Sequence, residues 1–193
     1  LFVALLLAAA SCLVLGMGMP TLPAYLIVVL VLGAAMERLG IPKLAVHLFV
    51  FYFGVLSAIT PPVALAAVAA SPIAGSEPVR TGLMAIRLAL VGFIVPFVFI
   101  YEPALLLVVG EFDLFAFLWV LARLCLSIWL LTTALSGYET HQLPVWSRTL
   151  RLAAGIGVLF VIPEVQLPAL VIGVLVVLQS MLFARREAAN NAS

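Results

Sequence analysis

Two long apolar stretches at the start of the chain are each interrupted by residues that break helices. Residues 1–36 carry no charged side chain, yet Gly16-Met17-Gly18-Met19-Pro20-Thr21 lies in the middle of them. Glycine frees the backbone and proline removes a hydrogen-bond donor, so regular helix is not expected to continue through residues 16–20. Unwound backbone at membrane depth is tolerated only where protein or an aqueous cavity surrounds it. The interruption therefore indicates a binding site.

The segments on either side of this break, residues 1–15 and 21–36, are both shorter than the roughly 20 residues of a full crossing. They are either a re-entrant hairpin, which enters and leaves on the same side, or one kinked helix. At 1.5 Å per residue, the kinked helix would be about 54 Å long and would overshoot the roughly 30 Å hydrocarbon core. The length favours the hairpin.

A second break occurs at Ser57-Ala58-Ile59-Thr60-Pro61-Pro62, in a stretch that has no formal charge between Lys43 and Glu77. The two prolines disfavour helix in the residues before them and leave upstream carbonyls without partners. Residues 43–58 and 62–70 are predicted to be two halves of a discontinuous crossing helix. The alternative is a proline kink in which Thr60 bonds back to its own helix.

The rest of the chain has a more conventional pattern. Residues 80–101 and 112–136 are each long enough to cross, residues 148–162 and 165–183 form a tighter pair, and residues 187–193 are predicted to be disordered. This divides the chain into a transport region at 1–79 (hairpin 1–36, discontinuous helix 43–71), two transmembrane helices at 80–136, a C-terminal helical hairpin at 148–183 and a polar tail at 184–193.

Composition places this pattern in a membrane. The chain is 66% hydrophobic and 9% charged, whereas soluble domains have about 25% charged residues. Apolar runs of around 20 residues indicate helices and not a barrel. The predicted fold is therefore an all-α polytopic membrane bundle. A net charge of +1 without a basic cluster gives no sign of a nucleic-acid partner. Since the chain begins inside an apolar run, we expect it to be the C-terminal part of a longer protein.

Charged residues at the predicted helix ends suggest an orientation. One set of ends carries Arg80, Arg148, Arg151, Arg185 and Arg186, and the opposite set carries Glu102, Glu111, Asp113 and Glu164. The positive-inside rule places the arginine ends and the C-terminus in the cytoplasm. Arg38 and Lys43 then lie outside and contradict the rule.

The two breaks offer the ligands of an ion site. Their freed carbonyls, with the hydroxyls of Thr21, Ser57 and Thr60, are neutral oxygens suited to a hard cation such as Na⁺. Half-helix N-termini near Thr21 and Pro62 would direct partial positive charge at an anion. Broken helices that pair a cation site with an anion site are typical of secondary transporters.

The same residues resemble a known family. Gly16-Met17-Gly18-Met19-Pro20-Thr21 followed by Pro23-Ala24-Tyr25 is similar to the GMGMPT-x-AAY signature of TRAP transporter large permease subunits (DctM-like), and closest to fused permeases of the TAXI type. The run from His47 to Ala66 is also similar to that group, as are Arg80-Thr81-Gly82 and Tyr101-x-Pro103-Ala104-Leu105-Leu106. Pro23 departs from the pattern, which has a small residue there. Specific motifs cover residues 1–110.

The resemblance implies an elevator-type secondary transporter of two inverted repeats, driven by Na⁺, that imports small organic anions such as carboxylates. This chain would hold the second repeat, and the first repeat with a fused small-subunit region would lie upstream. A periplasmic TAXI-type solute-binding protein and membrane lipid would be its partners, in the bacterial or archaeal inner membrane. No cofactor is expected beyond Na⁺ as coupling ion. The residues expected at Na⁺ are Gly16, Met17, Gly18, Ala58 and Thr60, and those expected at the substrate are Met19, Pro20, Thr21, Ser57 and Pro62.

Two arginines lie inside predicted spans, where a charge costs roughly 2.5–3.5 kcal/mol. Arg87 is expected to extend to the membrane interface. Arg123 is nearer mid-helix, and a structural partner is favoured there over substrate contact. His47 is expected to be a hydrogen-bonded structural group and not a proton relay.

Other residues are expected to have packing roles. Cys12 and Cys125 lack the spacing of a metal or redox site and are predicted to be small core residues. Trp119, Trp129 and Trp146 are interpreted as packing residues or interfacial anchors.

Two further hypotheses compete with transport. An intramembrane enzyme needs a Ser/His, paired-Asp or metal-ligand set in the spans, but the chain has two histidines and its one aspartate, Asp113, falls in a loop. A passive scaffold bundle predicts uninterrupted helices.

Overall fold

The computed structural model describes residues 1–107, 113–139, 142–160 and 162–190, with side chains up to residue 180. The described residues are predominantly α-helical, which confirms the predicted fold class. They form two compact units, unit 1 at Leu1–Phe112 and unit 2 at Asp113–Ser193. The helices are α1 (Phe2–Gly16), α2 (Thr21–Arg38), α3 (Lys43–Ser57), α4 (Leu65–Ala74), α5 (Pro78–Ala89), α6 (Val95–Tyr101), α7 (Leu114–Ser136), α8 (Val145–Leu159) and α9 (Pro163–Asn190).

Among the described residues, four stretches are long and apolar enough to cross a membrane: Thr21–Arg38, Pro78–Tyr101, Leu114–Ser136 and Pro163–Ser180. The helices α1, α3 and α4 are shorter. α2 runs two residues past its predicted end and reaches 18 residues. That α1 and α2 form a re-entrant hairpin, which enters and leaves the membrane on the same side, stays a prediction.

Unit 1 is built around α3, which packs against α1, α2 and α6. Its core joins residues of α1, such as Leu5 and Cys12, to an aromatic group on α3. Phe49 and Phe53 stack on each other at 4.8 Å, and both contact Phe97 of α6 edge-on. This packing fixes the C-terminal ends of α1 and α3 in one compact unit.

Residues 80–101 are long enough to cross, as predicted, but they do not form one regular helix. The helix α5 ends at Ala89, a 3-10 segment occupies Leu90–Ile94, and α6 follows. Pro96 in the first turn of α6 explains the change, because it disfavours helix in the residue before it and cannot donate back along the chain.

Unit 2 consists of α7, α8 and α9, packed around a polar centre. Arg123 on α7 donates to the backbone oxygens of Val158 and Phe160 at the C-terminal end of α8. Carbonyls at a helix end lack partners within the helix, so the guanidinium satisfies them. This confirms the structural partner expected for Arg123.

Arg151 on α8 is completely buried. Its guanidinium donates to Glu139 Oε2 at 2.6 Å, to Thr133 Oγ1 at 2.8 Å and to the Ser180 hydroxyl. Glu139 also accepts from Trp129 Nε1 at 2.8 Å. Arg151, one of the charges counted at the predicted helix ends, is thus held inside unit 2 by partners on α7, on α9 and in the loop between α7 and α8.

Two other predictions are corrected by unit 2. Cys125 is exposed and not in the core, since the buried side of α7 runs through Val120, Leu124 and Leu131. Cys12 is buried as expected. The tail is helical at 187–190 and not disordered there, while residues 191–193 lie outside the described residues.

The Glu139–Arg151 pair makes the stability of unit 2 depend on pH. Burial raises the pKa of Glu139, but hydrogen bonds from Arg151, Ser180 and Trp129 and the charge of Arg151 outweigh it and leave the pKa below its ordinary value. The stabilisation is therefore fully present above the ordinary carboxyl pKa and is lost as the pH falls through that value towards the lower folded-state pKa. We expect the apparent Tm to fall more steeply between about pH 5 and about pH 3 in the wild type than in Glu139→Gln. Parallel Tm curves would contradict this.

Candidate functional site

The two predicted helix breaks are both present in unit 1. The tip loop, Met17 to Pro20, separates α1 from α2, and the break loop, Ala58 to Ala64, separates α3 from α4. The second half-helix begins at Leu65, three residues later than predicted, after a cis Pro61–Pro62 bond and a left-handed Ala64 at φ 44°. We call the tip loop, the break loop and the adjoining helix ends the break junction.

The tip loop has no regular hydrogen bonding. Gly18 has a φ of +79°, a backbone conformation that residues with a side chain rarely adopt. Met19 N donates weakly to Gly16 O at 3.4 Å, and Ala24 N donates to Pro20 O. Among the described residues, no donor bonds to the carbonyls of Met17, Gly18 or Met19. These three oxygens are therefore open to a ligand.

The break loop is more tightly bonded. The amides of Ala58, Ile59 and Thr60 turn back onto carbonyls three residues earlier. Ala66 N at the start of α4 donates to Ala58 O at 2.9 Å. Thr60 Oγ1 donates to Leu56 O at 2.8 Å, the bond that the kink hypothesis predicted, although the helix is interrupted as well. Because the hydroxyl uses its hydrogen there, its lone pairs remain available to accept.

The two loops meet where α1 and α3 end. A Cβ at Gly16 would lie only 2.6 Å from Ser57 Oγ, so the last residue of α1 rests directly on the last residue of α3. A Cβ at Gly18 would lie 3.6 Å from Val63 Cγ1, so the tip loop also reaches the break loop. The close approach requires a residue without a Cβ at position 16.

Two other helices adjoin the break junction. The first turn of α2 packs on Gly54 of α3, where a Cβ would be 3.9 Å from Thr21 O and Tyr25 N. Gly82 of α5 packs on the break loop, where a Cβ would be 3.3 Å from Pro61 and Ala64. Tyr25 Oη hydrogen-bonds His47 Nδ1 at 2.7 Å, which confirms that His47 has a hydrogen-bonded partner.

The electrostatics of the break junction come from helix ends. The C-termini of α1 and α3 meet there, and neither has a basic residue in its last turn. The N-terminus of α2 begins at the same place with no side-chain cap and no acidic residue in its first turn. The start of α4 adjoins the break loop in the same way, so the junction has two partial negative ends and two partial positive ends, without a formal charge.

The predicted site residues fall into three groups. Gly16 and Ser57 are in contact, but Ser57 is 1% exposed and its hydroxyl donates to Gly54 O, which leaves little of it for a substrate. Met17, Gly18, Met19, Pro20 and Thr21 all lie in or beside the tip loop. Ala58, Thr60 and Pro62 all lie in the break loop, where the Ala58 carbonyl already accepts one hydrogen bond. Val63, which contacts the tip loop, was not predicted; no sequence signal distinguishes it from other apolar residues.

The comparisons with known proteins give a family match for the first part of the chain. The model of a family described as tripartite ATP-independent periplasmic transporter, DctM component, matches residues 1–114. No curated protein and no solved structure matches the chain. The matched range contains both loops of the break junction and ends within two residues of the boundary between unit 1 and unit 2.

Proposed function

Because this chain belongs to the DctM component family of tripartite ATP-independent periplasmic transporters, we propose that its break junction binds the coupling Na⁺ and one end of the transported anion. The family makes the chain part of a multi-pass membrane permease that works with a periplasmic solute-binding protein and a small subunit. Transport, and not catalysis, is the activity of the family.

The contact between Gly16 and Ser57 carries the proposal for the cation. It brings together the C-termini of α1 and α3, each of which has a partial charge of roughly −0.5. The open carbonyls of Met17 and Gly18 and the lone pairs of Thr60 Oγ1 add neutral oxygens, the ligands that hard cations prefer. Na⁺ in this position would replace the missing basic residue at both helix ends.

The start of α2 supports an anion site beside the cation. Among the described residues, the amides of Thr21 and Leu22 have no acceptor, and Pro23 has no amide hydrogen. A carboxylate of the substrate would accept from these two amides and from the Thr21 hydroxyl, with Met19, Pro20 and Pro62 beside it. A cation close to this carboxylate would couple the binding of both.

The finer features of the transporter remain part of the proposal. The solute-binding protein would be of the TAXI type, the substrate a small carboxylate, and the upstream half of the permease would supply the other wall of the pocket. The break junction would move across the membrane in an elevator motion with its bound ions. The passive scaffold hypothesis is not favoured, because its prediction of uninterrupted helices fails at both loops.

Removing the Thr60 hydroxyl tests the Na⁺ site. In the complete transporter with its binding protein, we expect Thr60→Val to raise the Na⁺ concentration for half-maximal uptake about tenfold, the effect of roughly 1.4 kcal/mol. Thr60→Ser keeps the oxygen and is expected to stay near wild type. Thr132→Val, on the exposed side of α7, is the control for a lost hydroxyl. An unchanged Na⁺ dependence in Thr60→Val would exclude Thr60 as a ligand.

A further inference from the structure

Unit 2 contains a cleft of about 270 Å³ between the start of α8 and the later part of α9. Its polar lining comes from Ser147, Gln179 and Ser180, and its apolar lining from Leu143, Trp146 and Val176. One water needs only ~10–15 Å³ of such space, so the cleft admits a larger polar group. The mixed lining fits an amphiphilic ligand.

Ser147 points to a ligand in this cleft. The residue is 6% exposed, lines the cleft, and its hydroxyl has no hydrogen-bond partner among the described residues. Because the residue lines the cleft, its hydroxyl is open to the cleft and can donate to a ligand that accepts a hydrogen bond.

The start of α8 favours an anionic ligand. This helix has 15 residues, Pro144 as its N-cap without a side-chain cap, and no acidic residue in its first turn. The amides of Val145 and Trp146 donate to nothing within the described part of the chain. Free amides at the positive end of a helix bind anions, and phosphate above all.

Two arginines adjoin the same turn. Within the described part of the chain, Arg148 donates only from Nε, to Ala134 O at 3.0 Å, and its guanidinium lies over Gly137. Arg151 is neutralised by Glu139 at 2.6 Å and holds Ser180, a residue of the cleft wall. Arg151 also has a buried Nε without a partner. The charge of Glu139 is therefore balanced. Arg148, the residue after Ser147, adds a positive charge to the first turn of α8.

We propose that this cleft binds the phosphate ester of an anionic membrane phospholipid. The phosphate accepts from the Val145 and Trp146 amides and from Ser147 Oγ, and Arg148 compensates its charge. The glycerol end of the lipid lies on the apolar rim, where Val145 is 75% exposed and Trp146 is 59% exposed. This rim selects a lipid over free phosphate, and tryptophan at a helix end is typical of the membrane interface.

Native mass spectrometry of the purified full chain, titrated with phosphatidylglycerol, tests the proposal. We expect one tightly held phosphatidylglycerol, with Kd about tenfold weaker in Ser147→Ala, which loses a hydrogen bond to a charged group. Arg148→Gln is expected to weaken it by a similar factor. Arg87→Gln removes an exposed arginine from α5 and is the matched control, with unchanged Kd.

The two possible sources of phosphate are separated in the same experiment. Phosphatidylcholine and inorganic phosphate at millimolar concentration are expected not to displace the bound lipid. Displacement by inorganic phosphate alone, or equal affinity in wild type and Ser147→Ala, would overturn the proposal. Arg148→Gln also removes the bond to Ala134 O, so Ser147→Ala is the deciding variant. Its helicity by circular dichroism and its Tm without lipid must match the wild type.

Discussion

Replacing Gly16 by alanine is expected to reduce substrate uptake at least tenfold. The new Cβ would lie 2.6 Å from Ser57 Oγ and 2.9 Å from Ser57 Cβ, distances that atoms in proteins do not tolerate. Ser57 is 1% exposed and bonded to Gly54 O, so it cannot move aside. The ends of α1 and α3 must separate, at an overpacking cost of about 1–3 kcal/mol. Since the proposed ion site depends on their contact, uptake falls while the protein still reaches the membrane.

A compensating substitution separates this effect from general damage. Ser57→Gly removes both atoms that the new Cβ would meet, so Gly16→Ala combined with Ser57→Gly is expected to recover much of the uptake. Gly33→Ala is the control in the neighbouring helix, because its Cβ would meet only a Val29 methyl at 3.3 Å. Equal uptake in wild type and Gly16→Ala, measured with the binding protein at saturating Na⁺, would show that the close contact has no role.

The positions of both breaks could be predicted from sequence because their causes are local. Glycine and proline act on their own backbone and on the residues next to them, so residues 16–20 and 57–62 were recognisable without any knowledge of packing. The start of α4 was placed three residues early because the turn around Pro61 and Pro62 extends to the left-handed Ala64. Propensity does not show how far such a turn continues.

The contacts that assemble the sites could not be predicted in the same way. The approach of Gly16 to Ser57 joins residues 41 apart, and it requires the packing of α1 on α3. No sequence signal singles out Glu139, and only the fold brings it to Arg151 and Trp129. The predicted orientation counted Arg151 among the positive helix ends. Because Arg151 is paired with Glu139, it no longer supports that orientation. The cytoplasmic C-terminus stays a prediction.

Replacing Arg151 by methionine is expected to destabilise unit 2 by about 3–5 kcal/mol, the usual effect of removing one partner of a buried ion pair. The substitution leaves the Glu139 carboxylate, 8% exposed, without its cation, and removes bonds to Thr133 and Ser180. For a unit of this size, the apparent Tm should fall by roughly 10 °C or more. Near-ultraviolet circular dichroism can follow the loss locally, because Trp129 bonds the same carboxylate.

The energetic cause can be isolated with a second substitution. If the unpaired charge is the main cost, Glu139→Gln in the Arg151→Met background should restore part of the Tm, although it lowers the Tm of the wild type. Arg87→Met is the control, because it makes the same arginine-to-methionine replacement at an exposed position. A Tm loss in Arg151→Met no greater than in Arg87→Met would show that the pair does not hold unit 2 together. Since Arg151 also positions Ser180 at the cleft wall, a true loss should extend to the binding of phosphatidylglycerol. The proposed Na⁺-dependent uptake, whose ion site we place in unit 1, provides a second readout in the complete transporter.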